Sequence, residues 1–283
     1  MTIRRFFLLL ALLGLGLVGW GYAVATAVPV VRTASVVLPD WPAGAPPVKA
    51  LLISDIHVAG PDMPPARLAR IVAQINALSP NLVLIAGDLV SDKRTATRHY
   101  PVEEAVAPLA GLRAPLGSVA VLGNHDHWRD AGATRRALAK AGVKLLDNDA
   151  VQLGPLAIGG LDDAFTGRDD LSATLRRLRA LRGARLLLSH NPDPFPRLPR
   201  DVTLMLAGHT HCGQIALPLI GAVSTMSAYG DRYACGLVRE RGRTLIVGAG
   251  VGTSLLPLRI GAVPDLWLVE LRGATAARPA AAR

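Results

Sequence analysis

The 283 residues are 51% hydrophobic and 18% charged, a balance that excludes a disordered chain and allows one large α/β core behind a short leader. With only 4% aromatic residues, the interior falls to Ala, Leu and Val, and no aromatic ladder interleaves with the basic residues, so a nucleic-acid partner is not expected. The formal charge of +10 comes almost wholly from arginine, which suits a solvated surface or one that attracts phosphate-bearing or anionic membrane partners.

At the front, Arg4 and Arg5 precede residues 6–31, which carry no charge and are long enough to cross a bilayer as a helix with the N-terminus inside. Residues 1–31 are therefore a transmembrane anchor or a signal peptide, and the run Ala23-Val24-Ala25-Thr26-Ala27 offers small-residue cleavage sites. The arginine pair also resembles a twin-arginine export signal. Either way the rest of the chain is expected on the outer side of the inner membrane, anchored or exported. Residues 32–48 lack a sustained period and read as a linker, and the globular domain is expected over 49–271.

Within that domain, apolar runs at 50–53, 82–86, 119–122, 186–188 and 202–206 each stop at a polar or glycine-containing cluster, the pattern of buried strands that end in loops. Residues 65–78 place Leu68, Ile71, Val72 and Ile75 on one helical face, and residues 171–181 do the same with Leu171, Leu175, Leu178 and Leu181. Alternation of strand and helix predicts an α/β fold with parallel strands. Shorter strands are expected at 236–238, 245–247 and 266–271, followed by a mobile Ala/Arg tail over 272–283. Cys212 and Cys235 are too few for a disulfide framework; a single bridge stays open, and the favoured reading leaves them unpaired, with Cys212 as packing.

The polar groups that follow the strands carry the functional signal. Strand 50–53 runs into Asp55 and His57, 82–86 into Asp88, and 119–122 into Asn124, His125 and Asp126. Likewise 186–188 reaches His190, and 202–206 reaches His209 and His211. Five of seven histidines thus sit at the strand ends, where loops of open α/β sheets gather ligands. Imidazole and carboxylate without an obligatory thiolate suit Mn, Fe, Zn or Ni, and Asp55, His57, Asp88, Asn124, His190, His209 and His211 are too many for one ion.

The ordered blocks Asp55-x-His57, Gly87-Asp88, Gly123-Asn124-His125-Asp126, His190 and Gly208-His209-Thr210-His211 resemble the signature of calcineurin-like metallophosphoesterases. That resemblance implies a layered sandwich of two mixed β-sheets flanked by helices, and two divalent ions. Asp55, His57 and His211 would hold one, Asn124, His190 and His209 the other, with Asp88 bridging. His125 would face the scissile phosphate as acid or stabilising cation, oriented by Asp126. Residues 208–214 with Pro218, Tyr229-Gly230, Gly252-Thr253-Ser254 and Pro257-Leu258-Arg259 further resemble a bacterial membrane-associated branch. Its members include phosphodiesterases and UDP-2,3-diacylglucosamine pyrophosphatases, although Cys212 stands here where that branch often has glycine. The implied substrate is a phosphate ester or pyrophosphate; Arg259 is a candidate contact for it, a surface arginine being the alternative. No protein partner is implied, and a non-catalytic metal-stabilised module is the competing reading.

Overall fold

The computed structural model describes residues 2–217 and 221–274. Its helices are α1 (Ile3–Ala25), α2 (Pro65–Ala77), α3 (Val102–Val106), α4 (Asn124–Lys140) and α5 (Leu171–Arg179). The first strands are β1 (Val30–Val37), β2 (Val48–Ile53), β3 (Leu82–Ala86), β4 (Ser118–Val121), β5 (Lys144–Leu145), β6 (Asp149–Leu153) and β7 (Leu156–Gly160). They are followed by β8 (Ala184–Leu188), β9 (Leu204–Ala207), β10 (Ala216–Leu217), β11 (Gly221–Ala222), β12 (Gly236–Glu240), β13 (Arg243–Val247) and β14 (Asp265–Arg272).

Two six-stranded mixed sheets form, in the orders β1-β14-β2-β3-β4-β5 and β12-β13-β9-β8-β7-β6. Period-two alternation decides how they stack. In the first sheet Ala50, Leu52, Leu82 and Leu84 meet Ile158, Leu186, Leu188, Leu204 and Ile246 of the second. Their neighbours Leu51, Ile53, Val83 and Ile85 point the other way, onto Leu68, Ile71 and Ile75 of α2. On the far side, Leu187, Met205 and Leu245 pack with Leu178 of α5 and with Phe195. Burial on both faces explains why these strands read as continuous apolar runs. The result is the expected α/β sandwich of two mixed sheets flanked by helices.

Two expectations change. Residues 30–37, assigned from sequence to the end of the leader and the linker, form β1, which runs parallel to β14 over eight residue pairs and is fastened by Arg32 Nε donating to Asp265 (2.8 Å). Only one of its residues, Val36, is buried, so this edge strand lacked the apolar run that marked the others. The tail expected at 272–283 begins inside β14, and from residue 275 onward it lies outside the described residues, as does Pro218.

α1 is 23 residues long with a mean hydropathy of 2.1 over its most apolar window, enough to cross a membrane by length and composition. The end of α1 and the residues just after it touch the domain: Arg259 N donates to Gly21 O (3.0 Å) and Arg67 Nη2 donates to Ala27 O (3.0 Å).

Candidate metal centre

Parallel strands β2, β3, β4, β8 and β9 aim their C-terminal ends at one edge of the sandwich, and the loops there carry all seven expected ligands, each buried. Asp55, His57, Asp88, His209 and His211 adopt positive φ, a conformation that costs an L-residue energy and is held by surrounding structure at functional sites. Close approach also accounts for two of the glycines. A Cβ on Gly123 would stand 2.3 Å from Asp88 Oδ1, and one on Gly208 would stand 2.4 Å from Asp55 Oδ2.

The donor atoms converge in a way that calls for cations. His190 Nδ1 donates to Ala86 O (2.7 Å) and His209 Nε2 donates to Met226 O (3.2 Å). In the neutral rings that a metal requires, their other nitrogens would present lone pairs, and these face each other at 3.1 Å, with Asn124 Oδ1 3.1 Å and Asp88 Oδ2 3.3 Å from His190 Nε2. His57 Nε2 and His211 Nε2 lie 3.1 Å apart, with Asp88 Oδ2 3.4 Å from the first and Asp55 Oδ1 3.4 Å from the second. Such spacings match ligand edges around an ion bonded at about 2.1 Å. Asp55, His57 and His211 form one compact group, and Asp88 joins both His57 and His190.

Electrostatics agree with the geometry. Burial holds the imidazoles of His57 and His211 well below the usual histidine range and brings His209 down to about 4, so each is a neutral donor at pH 7, free to take a cation. Burial works against a charge on His190, yet Asp88 and Asp55 hold it well above the usual range, which marks a point where positive charge is favoured. His57 Nδ1 is buried without a partner.

His125 sits at the rim of this cluster, its backbone N–H donating to Asp88 Oδ1 (2.9 Å) and its Nδ1 paired with Asp92. Here the sequence expectation is corrected: Asp126 does not orient His125. Its carboxylate accepts from the backbone N–H groups of Leu89 (2.9 Å), Val90 (3.2 Å) and Gly123 (3.0 Å), tying the loop after β3 to the start of α4. Burial and the neighbouring Asp88 raise Asp126 to about 7. Arg259 is neither a surface residue nor a groove-facing one. Fully buried, it donates to Ala249 O (2.7 Å), Gly250 O (3.1 Å) and Gly252 O (2.6 Å), and its Nη2 lies 3.4 Å from His211 Nδ1. Cys212 and Cys235, read as unpaired, form a disulfide with a Cα–Cα separation of 4.7 Å, directly after the last ligand.

Several groups at the site had no clear sequence signal. Trp128, 52% exposed, stands edge-on to His125 at 4.9 Å between ring centroids, and Phe165, 39% exposed, lies 4.8 Å from His209. Together these rings place apolar surface at the edge of an otherwise polar site. His127 is held by Asp162 (2.7 Å) outside the cluster, and His99 is exposed, as their positions off the strand ends implied.

Comparison with known proteins places this architecture. A model of the calcineurin-like phosphoesterase family matches residues 48–213. The uncharacterized metallophosphoesterase YkuE of Bacillus subtilis (strain 168) is 34% identical over 213 residues, 72% of each chain. An uncharacterized metallophosphoesterase of Aquifex aeolicus (strain VF5) is 30% identical over 80% of this chain and 85% of its own. A transmembrane protein with metallophosphoesterase domain from Danio rerio is 30% identical over 80% of this chain, which spans only 54% of that protein's length.

Proposed function

The chain belongs to the calcineurin-like phosphoesterase family and is a metal-dependent phosphoester hydrolase; on that premise we propose that it cleaves a phosphodiester or pyrophosphate bond of an envelope-associated substrate. The observation that carries this reading is the convergence of seven buried N and O donors on one sheet edge, with His125 beside them and held by Asp92. We assign Asp55, His57 and His211 to one divalent ion and Asn124, His190 and His209 to a second, with Asp88 shared between them.

When bound, the ions supply Lewis acidity to the phosphoryl oxygens and to the attacking water. The protein's own residues do the rest. Asp55 is fixed by two contacts from His209 N (3.0 Å each), and Asp88 by His125 N, so the carboxylates keep their places as substrate enters. With Nδ1 committed to Asp92, which fixes the ring, His125 has Nε2 left to give a proton to the departing oxygen. The exposed faces of Trp128 and Phe165 exclude water beside that oxygen and receive an apolar part of the substrate.

Envelope association rests on α1 and on Arg4 and Arg5 in its first turn, a charge pattern that by the positive-inside rule supports a domain on the outer side. Within that class, a UDP-2,3-diacylglucosamine pyrophosphatase is the finer alternative, favoured by the apolar rings at the site and by the branch resemblance. Intact Asp88 and His125 count against a non-catalytic module. Turnover of bis(p-nitrophenyl) phosphate, p-nitrophenyl phosphate and a nucleotide-sugar pyrophosphate, compared at one metal concentration, tests the proposal. Diester or pyrophosphate cleavage above the monoester rate is expected, and monoester turnover alone would overturn it.

A further inference from the structure

The loop at 254–258 joins two parts of the molecule that the function so far leaves separate. One residue links them: Arg259 reaches toward His211 with its guanidinium, while its backbone N–H donates to Gly21 O (3.0 Å) near the end of α1. The two segments are in close packing there, since a Cβ on Gly21 would make van der Waals contact with Leu258 Cβ (3.5 Å) and Ile260 Cγ1 (3.6 Å). On the same turn of α1, Trp20 and Tyr22 are exposed aromatic rings of the kind that settle at the headgroup level of a bilayer. The loop therefore meets α1 at the depth where that helix leaves the membrane.

Its chemistry suits that depth. Leu255, 70% exposed, and Leu256 project from the loop into solvent, although Leu is a costly residue to leave uncovered in a cluster. Their carbonyls are already satisfied: Gln214 Nε2 donates to Leu256 O (3.0 Å) and Leu258 O (3.1 Å), Ser254 N donates to Gln214 Oε1 (2.9 Å), and Thr95 Oγ1 donates to Leu255 O. A loop whose carbonyls are paired in advance enters the headgroup and upper acyl layer at a lower desolvation cost than one with bare carbonyls. Beside Thr95, the exposed side chain of Arg94 adds positive charge to the same edge, whereas Arg98 is turned to Glu104 (3.7 Å) and the Tyr100 ring.

We propose that residues 254–258 are a second membrane contact, with Leu255 and Leu256 inserted in the headgroup and upper acyl layer of an anionic bilayer next to α1 and Arg94 on its phosphates. The inference rests on reading α1 as a membrane anchor. It holds the metal centre one residue behind the bilayer surface, whereas a tether alone would leave the domain free to turn.

The full chain in vesicles of phosphatidylethanolamine and phosphatidylglycerol tests it, with a thiol-reactive fluorophore at Leu255→Cys, at Leu10→Cys in the middle of α1, or at Arg200→Cys before the N-terminal end of β9, on the edge away from the site. The disulfide occupies both native cysteines, so each label reports one position. A lipid spin-labelled near its headgroup should remove most of the fluorescence at 255, one labelled deep in the acyl chain should do so at 10, and neither should at 200. Quenching at 10 without quenching at 255 overturns the inference and leaves the anchor standing, while no quenching at 10 overturns the anchor and the inference with it. Equal quenching at 255 and 200, or protection at 255 that appears only as protein density rises, also overturns it, the last by assigning the loop to a second copy of the chain.

Discussion

His125 differs from the other motif histidines in what holds it: Asp92 takes its Nδ1, whereas His57, His190, His209 and His211 turn their nitrogens on one another. Its removal should therefore affect chemistry and spare metal. His125→Ala is expected to retain its ions by elemental analysis while kcat falls by roughly 10²–10⁴-fold. The loss should be larger for an alkyl ester, whose alkoxide needs a proton, than for a p-nitrophenyl ester; equal losses would contradict proton donation. Asp92→Asn should follow the same pattern more weakly. The convergence of the seven candidate ligands was legible because donor-bearing positions recur at strand ends, but the partner of His125 was not. Sequence adjacency favoured Asp126, yet neighbours on a helix point about 100° apart and do not face each other. Behind the site, Lys93 and Asp62 form a buried ion pair shared with Thr253. Lys93→Met leaves Asp62 uncompensated and should cost about 3–5 kcal/mol in urea denaturation; a loss near zero would show that the pair is dispensable.

At the level of elements, the segment between the last ligand and β12 is closed by the Cys212–Cys235 bridge, whose 23-residue separation corresponds to about 3 kcal/mol of lost chain entropy in the unfolded state. Reduction, or the pair Cys212→Ser with Cys235→Ser, should lower the Tm and weaken metal retention, since Cys212 follows His211 directly; unchanged Tm and metal content would contradict this. Sequence spacing could not reveal the bridge, because a 23-residue separation does not fix the distance between two Cα atoms. β1 escaped notice for its half-exposed alternation, and α4 because its pattern is interrupted where Asp130 leaves helical geometry and caps the continuation through Ala133 N (2.8 Å). By contrast, β2, β3, β8 and β9 were legible, since burial on both faces leaves continuous apolar runs once Lys49 and Arg185 near the starts of β2 and β8 are passed. Deleting residues 1–28 should leave the domain folded and active on a soluble diester. Deleting 1–47 also removes β1 and its eight pairings with β14, and should lower the Tm measurably; identical melting of the two truncations would show that β1 is not part of the folded unit.

For the whole molecule, two sheets stacked through one apolar layer create a rigid edge at which five loops deliver buried donors, and α1 leaves the domain close to that same edge. Asp88 is the residue on which this arrangement turns, because it stands 3.4 Å from His57 Nε2 and 3.3 Å from His190 Nε2, and so belongs to both halves of the cluster. Metal content and diester turnover measured together on Asp88→Asn and on the unaltered protein are the most direct test. Two equivalents of divalent metal and chelator-sensitive turnover are expected for the unaltered protein, with metal and activity lost together in Asp88→Asn. Full metal occupancy with unchanged turnover in that variant would contradict a shared metal centre as the seat of hydrolysis.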